Sequence, residues 1–499
     1  MKKRISLSSV MLAAFMLAGM FTACTPDSTP APADSGSPAP PGESPSPPPD
    51  AGGNEDRTPM QFASPFIIVD GIADNPIQGG GLQNIPDPKL IYHEGYYYVY
   101  STDNSGGIVS RSADLITFEH MGYCITPPED VSPPHYMYWD PTPFYHEETK
   151  TFYLYYSTAY RGGTFDVSFD QRMKYATADN PLGPFEFQGY IELDWDDRLL
   201  DVWAPLHKWA IAPSMWEREG KFFFFFTYKG WAEGVEAHTP IVRRPDSYFG
   251  TMIFMQEFSD PATPIPGTRR PVVWPTMLEE LNDTSGVFDV GIWEYTLEGP
   301  TYFEYDGTAY LMYSGNSWES PYYFIGYATW DMQGSLSDAV FHKYPDDDTY
   351  MPLLGNDVNA VGMGNNSICI TPDGRILMAY HGYPADYSDL PYPDSRNRRL
   401  YITELTAEDG KLVAHRPYDI PVSYHLNGGE GEGPDPFSMA AGSVFTAADI
   451  TGVEAPEGMT FKEWNTRSNG TGRVYAPGEA VAVPASKFIL YAIWEPEQP

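Results

Sequence analysis

One pattern constrains the fold of this 499-residue chain more than any other: a strand unit that returns five times. Each copy opens on a turn, in most cases with proline. It continues through a few apolar residues, crosses a short polar turn and enters an apolar, mostly aromatic strand. The copies pair 85–92 with 96–101, 139–145 with 152–157, 211–216 with 222–227, 298–303 with 310–314 and 366–370 with 376–381. Each reads as a hairpin. Third strands follow at 173–177 and 325–329, and edge strands at Phe118-Glu119 and Phe185-Glu186-Phe187. Four strands per unit, five times over, predict an all-β, five-bladed β-propeller across residues 60–420. A two-sheet sandwich is the competing fold, but it does not predict five similar units. Radial packing also gives the 12 Trp, 36 Tyr and 27 Phe residues a destination between blades.

The flanks differ in composition. Lys2, Lys3 and Arg4 precede an apolar run from Val10 to Phe21, the pattern of an export signal over 1–24 and too short to span a bilayer. Phe21-Thr22-Ala23-Cys24 resembles a bacterial lipobox, which implies cleavage before Cys24 and attachment of lipid to its thiol. Residues 25–58 hold ten prolines between Pro26 and Pro49 and almost no large apolar side chain, so a disordered, extended linker is expected. The expected location is extracytoplasmic, anchored to the bacterial membrane by that lipid. The 30 Lys and Arg against 67 Asp and Glu give a net charge of −37, which argues against nucleic acid as a partner. Three cysteines cannot make a disulfide scaffold, and Cys124 and Cys369 read as buried or unpaired thiols. After Pro421 the composition shifts again, and 421–499 reads as a small β-rich module.

The turns that open three of the units are acidic: Asp87, Asp140 and Glu298. In a propeller, matching turns of different blades converge on the axis, so Asp87 and Glu298 could face each other across one pocket. Two opposed carboxyls suit hydrolysis of a glycosidic bond. One stays ionised to activate water, and the other holds a proton for the leaving oxygen. Burial and a like-charged neighbour raise the pKa of the second.

Ile85-Pro86-Asp87-Pro88 followed by Gly95-Tyr96-Tyr97-Tyr98 and Ser101 resembles the first-blade signature of glycoside hydrolase family 43. Ser112-Ala113-Asp114-Leu115 with Phe118 and Gly122 is similar to its blade end, and Pro181-Leu182-Gly183-Pro184-Phe185-Glu186 to its recurrent blade exit. Leu297-Glu298-Gly299-Pro300 with Gly307, Tyr310 and Ser314 is similar to its general-acid blade. The resemblance covers roughly 65–418 and implies an inverting enzyme acting on arabinose- or xylose-containing plant polysaccharide, with Asp87 as general base and Glu298 as general acid. The family carries a third acidic residue in the third-blade turn, where this chain has Ala212. Asp140 is the expected substitute, with Asp201 and Asp289 as alternatives.

Trp139, Trp203, Trp293 and Trp318 are candidate sugar platforms, of which Trp139 and Trp293 adjoin the turns in question. His381 is a further candidate substrate contact. Asn365 stands where the arabinanase-like branch has His. The resemblance implies no organic cofactor and no catalytic metal, though some relatives hold a calcium ion near the axis. The run 456–466 with Gly470, Gly472, Tyr475 and 490–494 resembles the Listeria–Bacteroides repeat, a spacer or adhesive module of bacterial surface proteins. Two other functions compete. A carbohydrate-binding propeller without catalysis is raised by Ala212. A fructan hydrolase is opposed by the lack of the Asn-Asp-Pro-Asn, Arg-Asp-Pro and Glu-Cys-Pro turns such enzymes usually carry.

Overall fold

The computed structural model describes residues 58–60, 62, 66, 68–70, 83–103, 106–126, 136–160, 172–195, 210–233, 247–283, 293–357, 359–384, 398–416, 419–440, 443–470, 472–483 and 488–497. The expected export signal, Cys24 and the proline-rich linker up to residue 57 lie outside them, as do Asp201, Trp203, Asp289 and the side chain of Trp293.

Between Ile68 and His415 the described residues form five successive sheets of four or five strands and a short pair, Leu281–Asp283 with Trp293–Tyr295, and the described residues include no α-helix. The first runs outward through Lys89–His93, Tyr96–Ser101, Ile108–Ser112 and Phe118–Tyr123, and Ile68–Asp70 adds a parallel strand at its outer edge. The second runs through Tyr136–His146, Thr151–Tyr160, Arg172–Ala178 and Phe185–Tyr190. In the third, Ala210–Arg218 and Lys221–Glu233 lead to Ser247–Asp260, which pairs both Thr263–Pro264 and Arg270–Val273. The fourth comprises Leu297–Tyr305, Thr308–Gly315, Phe324–Trp330 and His342–Lys343. The fifth comprises Ala360–Ile370, Ile376–Pro384, Arg399–Glu408 and Lys411–His415.

Five apolar clusters, each shared by two neighbouring sheets, make this a closed ring and not a sandwich. The run Phe222 to Phe226 shows how sequence encodes it. Side chains alternate faces along a strand. Phe222, Phe224 and Phe226 therefore join Tyr155 and Met173 of the second blade. Phe223 and Phe225 join Leu297, Tyr302 and Leu311 of the fourth. A strand buried on both faces reads as a continuous apolar run. The ring closes where Leu90, Val99 and Phe118 of the first blade meet Leu377, Ala379 and Ile402 of the fifth. Cys124 and Cys369 are both free and buried.

From Ile420 the chain builds a separate five-stranded sheet in which Ile420–His425 pairs parallel with Phe488–Pro496. It has its own core around Trp464, Tyr475, Val481 and Leu490. The Arg467 guanidinium lies 4.9 Å from the centre of the Tyr350 ring and pairs with Glu279.

Candidate active site

The inner strands of blades two to five share one irregularity. Pairing skips two residues, between Trp139 and Thr142, Ile211 and Ser214, Glu298 and Thr301, and Gly364 and Ser367. In the first blade the inner strand's pairing begins at Lys89, two residues past Asp87. The first residue of each bulge has a left-handed backbone: Asp87, Asp140, Ala212, Gly299 and Asn365, with φ between 46° and 64°. Glu298 is therefore not the counterpart of Asp87 and Asp140, as its acidic type suggested. It stands one residue earlier, in register with Trp139, and Gly299 takes the bulge position.

The bulge amides tie neighbouring blades together. Asp140 N–H donates to Thr102 Oγ1 at 3.0 Å, Gly299 N–H to Thr227 Oγ1 at 3.2 Å, Asn365 N–H to Ser314 Oγ at 2.8 Å and Asp87 N–H to His381 Nδ1 at 3.0 Å. Ser157 holds the matching position before Ala212, and its buried Oγ has no hydrogen-bond partner among the described residues. Ser157, Thr227, Ser314 and His381 close the second segment of their units as read from the sequence, so the repeat identified those positions but not their task.

Asn365 organises the charges. Its Nδ2 donates to Asp87 Oδ1 at 3.0 Å and to Asp140 Oδ1 at 2.6 Å, while its Oδ1 accepts from Lys89 Nζ at 2.7 Å. Reversing the amide would turn its oxygen toward two carboxylates and its NH2 toward an ammonium, so the orientation is fixed by its neighbours. Gly299 permits this approach, because a Cβ there would lie 3.1 Å from Asn365 Oδ1 and its φ is +64°. Lys89 Nζ also lies 3.4 Å from Asp140. Arg398 Nη1 donates to Asp87 Oδ1 at 3.2 Å, and Thr102 Oγ1 donates to Asp87 Oδ2 at 2.5 Å. Arg398 in turn lies 4.8 Å above the ring of half-buried Trp318.

Burial alone would raise the Asp87 carboxyl, but the Arg398 guanidinium and the Thr102 hydroxyl help hold it well below the usual carboxylate range. His381 Nδ1 is 3.3 Å from Asp87 Oδ1. Since that nitrogen already accepts the Asp87 amide proton, the approach is a contact and not a second hydrogen bond. Burial pushes His381 down to about 4, so the ring is neutral. The side chain is fully buried. His381 thus braces the Asp87 backbone, and in this structure its side chain presents no exposed surface to a sugar. Asp140 is pushed up to about 6, first by burial and then by the charge of Asp87. Glu298 is pushed up to about 7, again first by burial, with Asp140 and Asp87 adding to it.

Tyr323 donates to Glu298 Oε1 at 2.8 Å, and its ring stacks on His381 with centroids 5.9 Å apart. Glu298, Tyr323, His381 and Asp87 therefore form one chain of contacts across blades four, five and one. Gly364 makes room for the phenol, since a Cβ there would fall 1.7 Å from Tyr323 Cε1. Gly364→Ala is expected to destabilise the fold by about 1–3 kcal/mol through overpacking. A urea-unfolding midpoint would check this.

Asn365 and Thr102 thus bridge Asp87 and Asp140, and Glu298 is joined to Asp87 through Tyr323 and His381. Trp139 is half-buried beside Asp140. Lys89, Thr102, Tyr323 and Arg398 were missed by sequence reasoning. Among the described residues no group of three or more His, Cys, Asp or Glu side chains is arranged to hold a metal ion. Near Asp140 the Lys89 ammonium already supplies the cation, so the donor set there does not fit calcium.

A family model described as glycosyl hydrolases family 43 matches residues 73–412. Solved structures similar to the chain include a thermostable family-43 glycoside hydrolase, 23% identical, covering 68% of this chain and 95% of that one with a TM-score of 0.49. An α-L-arabinofuranosidase from Lactobacillus brevis is 20% identical over 66% of this chain and 93% of that one, TM-score 0.49. An α-L-arabinanase from Cellvibrio cellulosa is 17% identical over 66% and 95%, TM-score 0.46. No curated protein matches the chain.

Proposed function

The chain belongs to the glycosyl hydrolases of family 43, and from that premise we propose that it cleaves arabinose- or xylose-containing plant polysaccharides with inversion, Asp87 acting as base and Glu298 as acid. One observation carries this reading: two carboxyls linked through a single contact chain are driven to opposite protonation states. Asp87 is held ionised, and Glu298 keeps its proton up to about pH 7. In the proposed reaction the Asp87 carboxylate takes a proton from a water. That water attacks the anomeric carbon opposite the leaving group, and Glu298 delivers its proton to the departing oxygen. A water fits between base and sugar when the carboxyls stand roughly 6.5–9.5 Å apart. Trp139 and Trp318 are the aromatic surfaces proposed to bear the sugar, and no organic cofactor is needed.

Asp140 is proposed as the third carboxylate, acting by charge and not by contact, because its hydrogen bond is to Asn365 and Lys89 is its near cation. An ionised Asp140 keeps Glu298 protonated to higher pH. Protonation of Asp140 below about pH 6 leaves Glu298 still protonated and Asp87 still ionised. The profile of kcat/KM is therefore expected to show a plateau on the acid side and one descending limb near pH 7. Asp140→Asn is expected to move that limb down by about half to one pH unit, read from the same profile.

The test is a panel of aryl arabinofuranoside, aryl xyloside and linear arabinan, with the anomer of the first product followed by NMR. Retention of configuration, or no hydrolysis of any of them, would overturn the proposal. A second reading, sugar binding without turnover, is favoured by Ala212, whose methyl group occupies the third-blade bulge. Calorimetric binding of arabinan without product would select it. We further propose that 421–499 is a spacer or adhesive unit and that Cys24 carries the lipid that holds the protein outside the cytoplasm. Cys24→Ser would then move the protein from the membrane to the soluble fraction.

A further inference from the structure

We propose that Tyr323 positions the proton of Glu298 and fills the orienting role for which the third blade offers only Ala212. The proposal rests on the reading of Glu298 as the general acid.

The Asn365 amide can only donate, so Ser314 Oγ accepts from it at 2.8 Å. Ser314 stands opposite Glu298 in the strand pairing, so this bond fixes the backbone from which the acid projects. Tyr323 gives its own proton to Glu298 Oε1, 2.8 Å away. With Oε1 occupied as an acceptor, the acidic proton of Glu298 resides on Oε2. After proton transfer the same phenol still donates, now to a carboxylate, and steadies the charge that has formed.

The phenol is held for this. Tyr323 is fully buried, and its ring stacks on His381 over the space left by Gly364. Among the described residues no carboxylate hydrogen-bonds Glu298: Ala212 has only a methyl group, and Asp140 spends its hydrogen bond on Asn365. Tyr323 does not touch the reacting atoms in this scheme. It is a positioning residue.

The experiment compares Tyr323→Phe with the unaltered enzyme on a series of aryl arabinofuranosides or xylosides whose leaving groups range from dinitrophenol to phenol. Phe keeps the ring packing and removes only the hydroxyl. Expected is a fall in kcat of about 10- to 100-fold on the phenyl glycoside, shrinking to within about twofold on the dinitrophenyl glycoside, which needs no acid. Loss of a donor to the carboxylate also disfavours its ionised form, so the descending pH limb should shift upward. A Tyr323→Phe enzyme with unchanged kcat across the series, or with the same loss for every leaving group and an unmoved pH limb, overturns the proposal while leaving the hydrolase reading intact. An unaltered protein that cleaves none of the series overturns both.

Discussion

Glu298→Gln is expected to lower kcat on phenyl glycosides and natural polysaccharide by about 10²–10⁴-fold, the usual contribution of a general acid. Gln matches the neutral carboxyl in shape and still accepts from Tyr323, but it has no transferable proton. The loss should therefore fade on dinitrophenyl glycosides, and the descending pH limb near 7 should vanish. The same substitution should affect stability with a definite sign. The folded pKa of Glu298 lies above the ordinary carboxyl value. Its contribution to stability is therefore full below the unfolded pKa and is lost as pH rises through about 7. The variant should gain on the parent in melting temperature between pH 5 and pH 8. Thermal scans at both values check this alongside the kinetics.

Asp87→Asn is expected to lower kcat at least as far, and evenly across the leaving-group series. Activation of water is needed whichever group departs, and an amide cannot take the proton. The fold should survive. Three donors face the two Asp87 oxygens: Asn365 Nδ2 and Arg398 Nη1 at Oδ1, and the Thr102 hydroxyl at Oδ2. An Asn with its oxygen in the first position turns its NH2 toward Thr102, whose oxygen can accept. Circular dichroism with the leaving-group series separates lost chemistry from lost structure. A loss confined to poor leaving groups would reverse the roles assigned to Asp87 and Glu298.

The ring was legible in the sequence because burial on two faces leaves a long apolar signature, as in Phe222 to Phe226, and because that signature recurs. Asp87 and Asp140 were legible because each precedes a proline at a strand start. That same cue could have corrected Glu298: the residue before proline in the fourth unit is Gly299. Acidic type outweighed register in reading it. Arg398 and Tyr323 were not legible. Arg398 meets Asp87 across 311 residues of chain and Tyr323 belongs to no repeated position, so spacing carries no trace of either contact. Lys89 follows Asp87-Pro88 directly, yet its type alone does not reveal that its ammonium is buried against Asn365 from the far end of the ring. His381 was noticed, but sequence could not distinguish a wall from a foundation.

The junction between the first and last blades has a consequence for acid tolerance. Among the described residues the fifth sheet is built from residues 360–415, with no strand from the start of the chain. The ends of the ring are joined by links that include Phe66 N–H to Leu400 O, Ile85 N–H to Arg398 O and Leu90 N–H to Ser367 Oγ, beside the apolar seam. Asp87 adds its bonds to Arg398, Asn365 and His381 at the same junction. The buckle of this belt is thus also its working edge. Because the Asp87 carboxyl is held below its ordinary pKa, its share of the fastening is complete above that value and slackens as acid approaches the folded pKa. Strong acid should loosen this seam without opening the ring, seen as a lower melting temperature than at neutral pH.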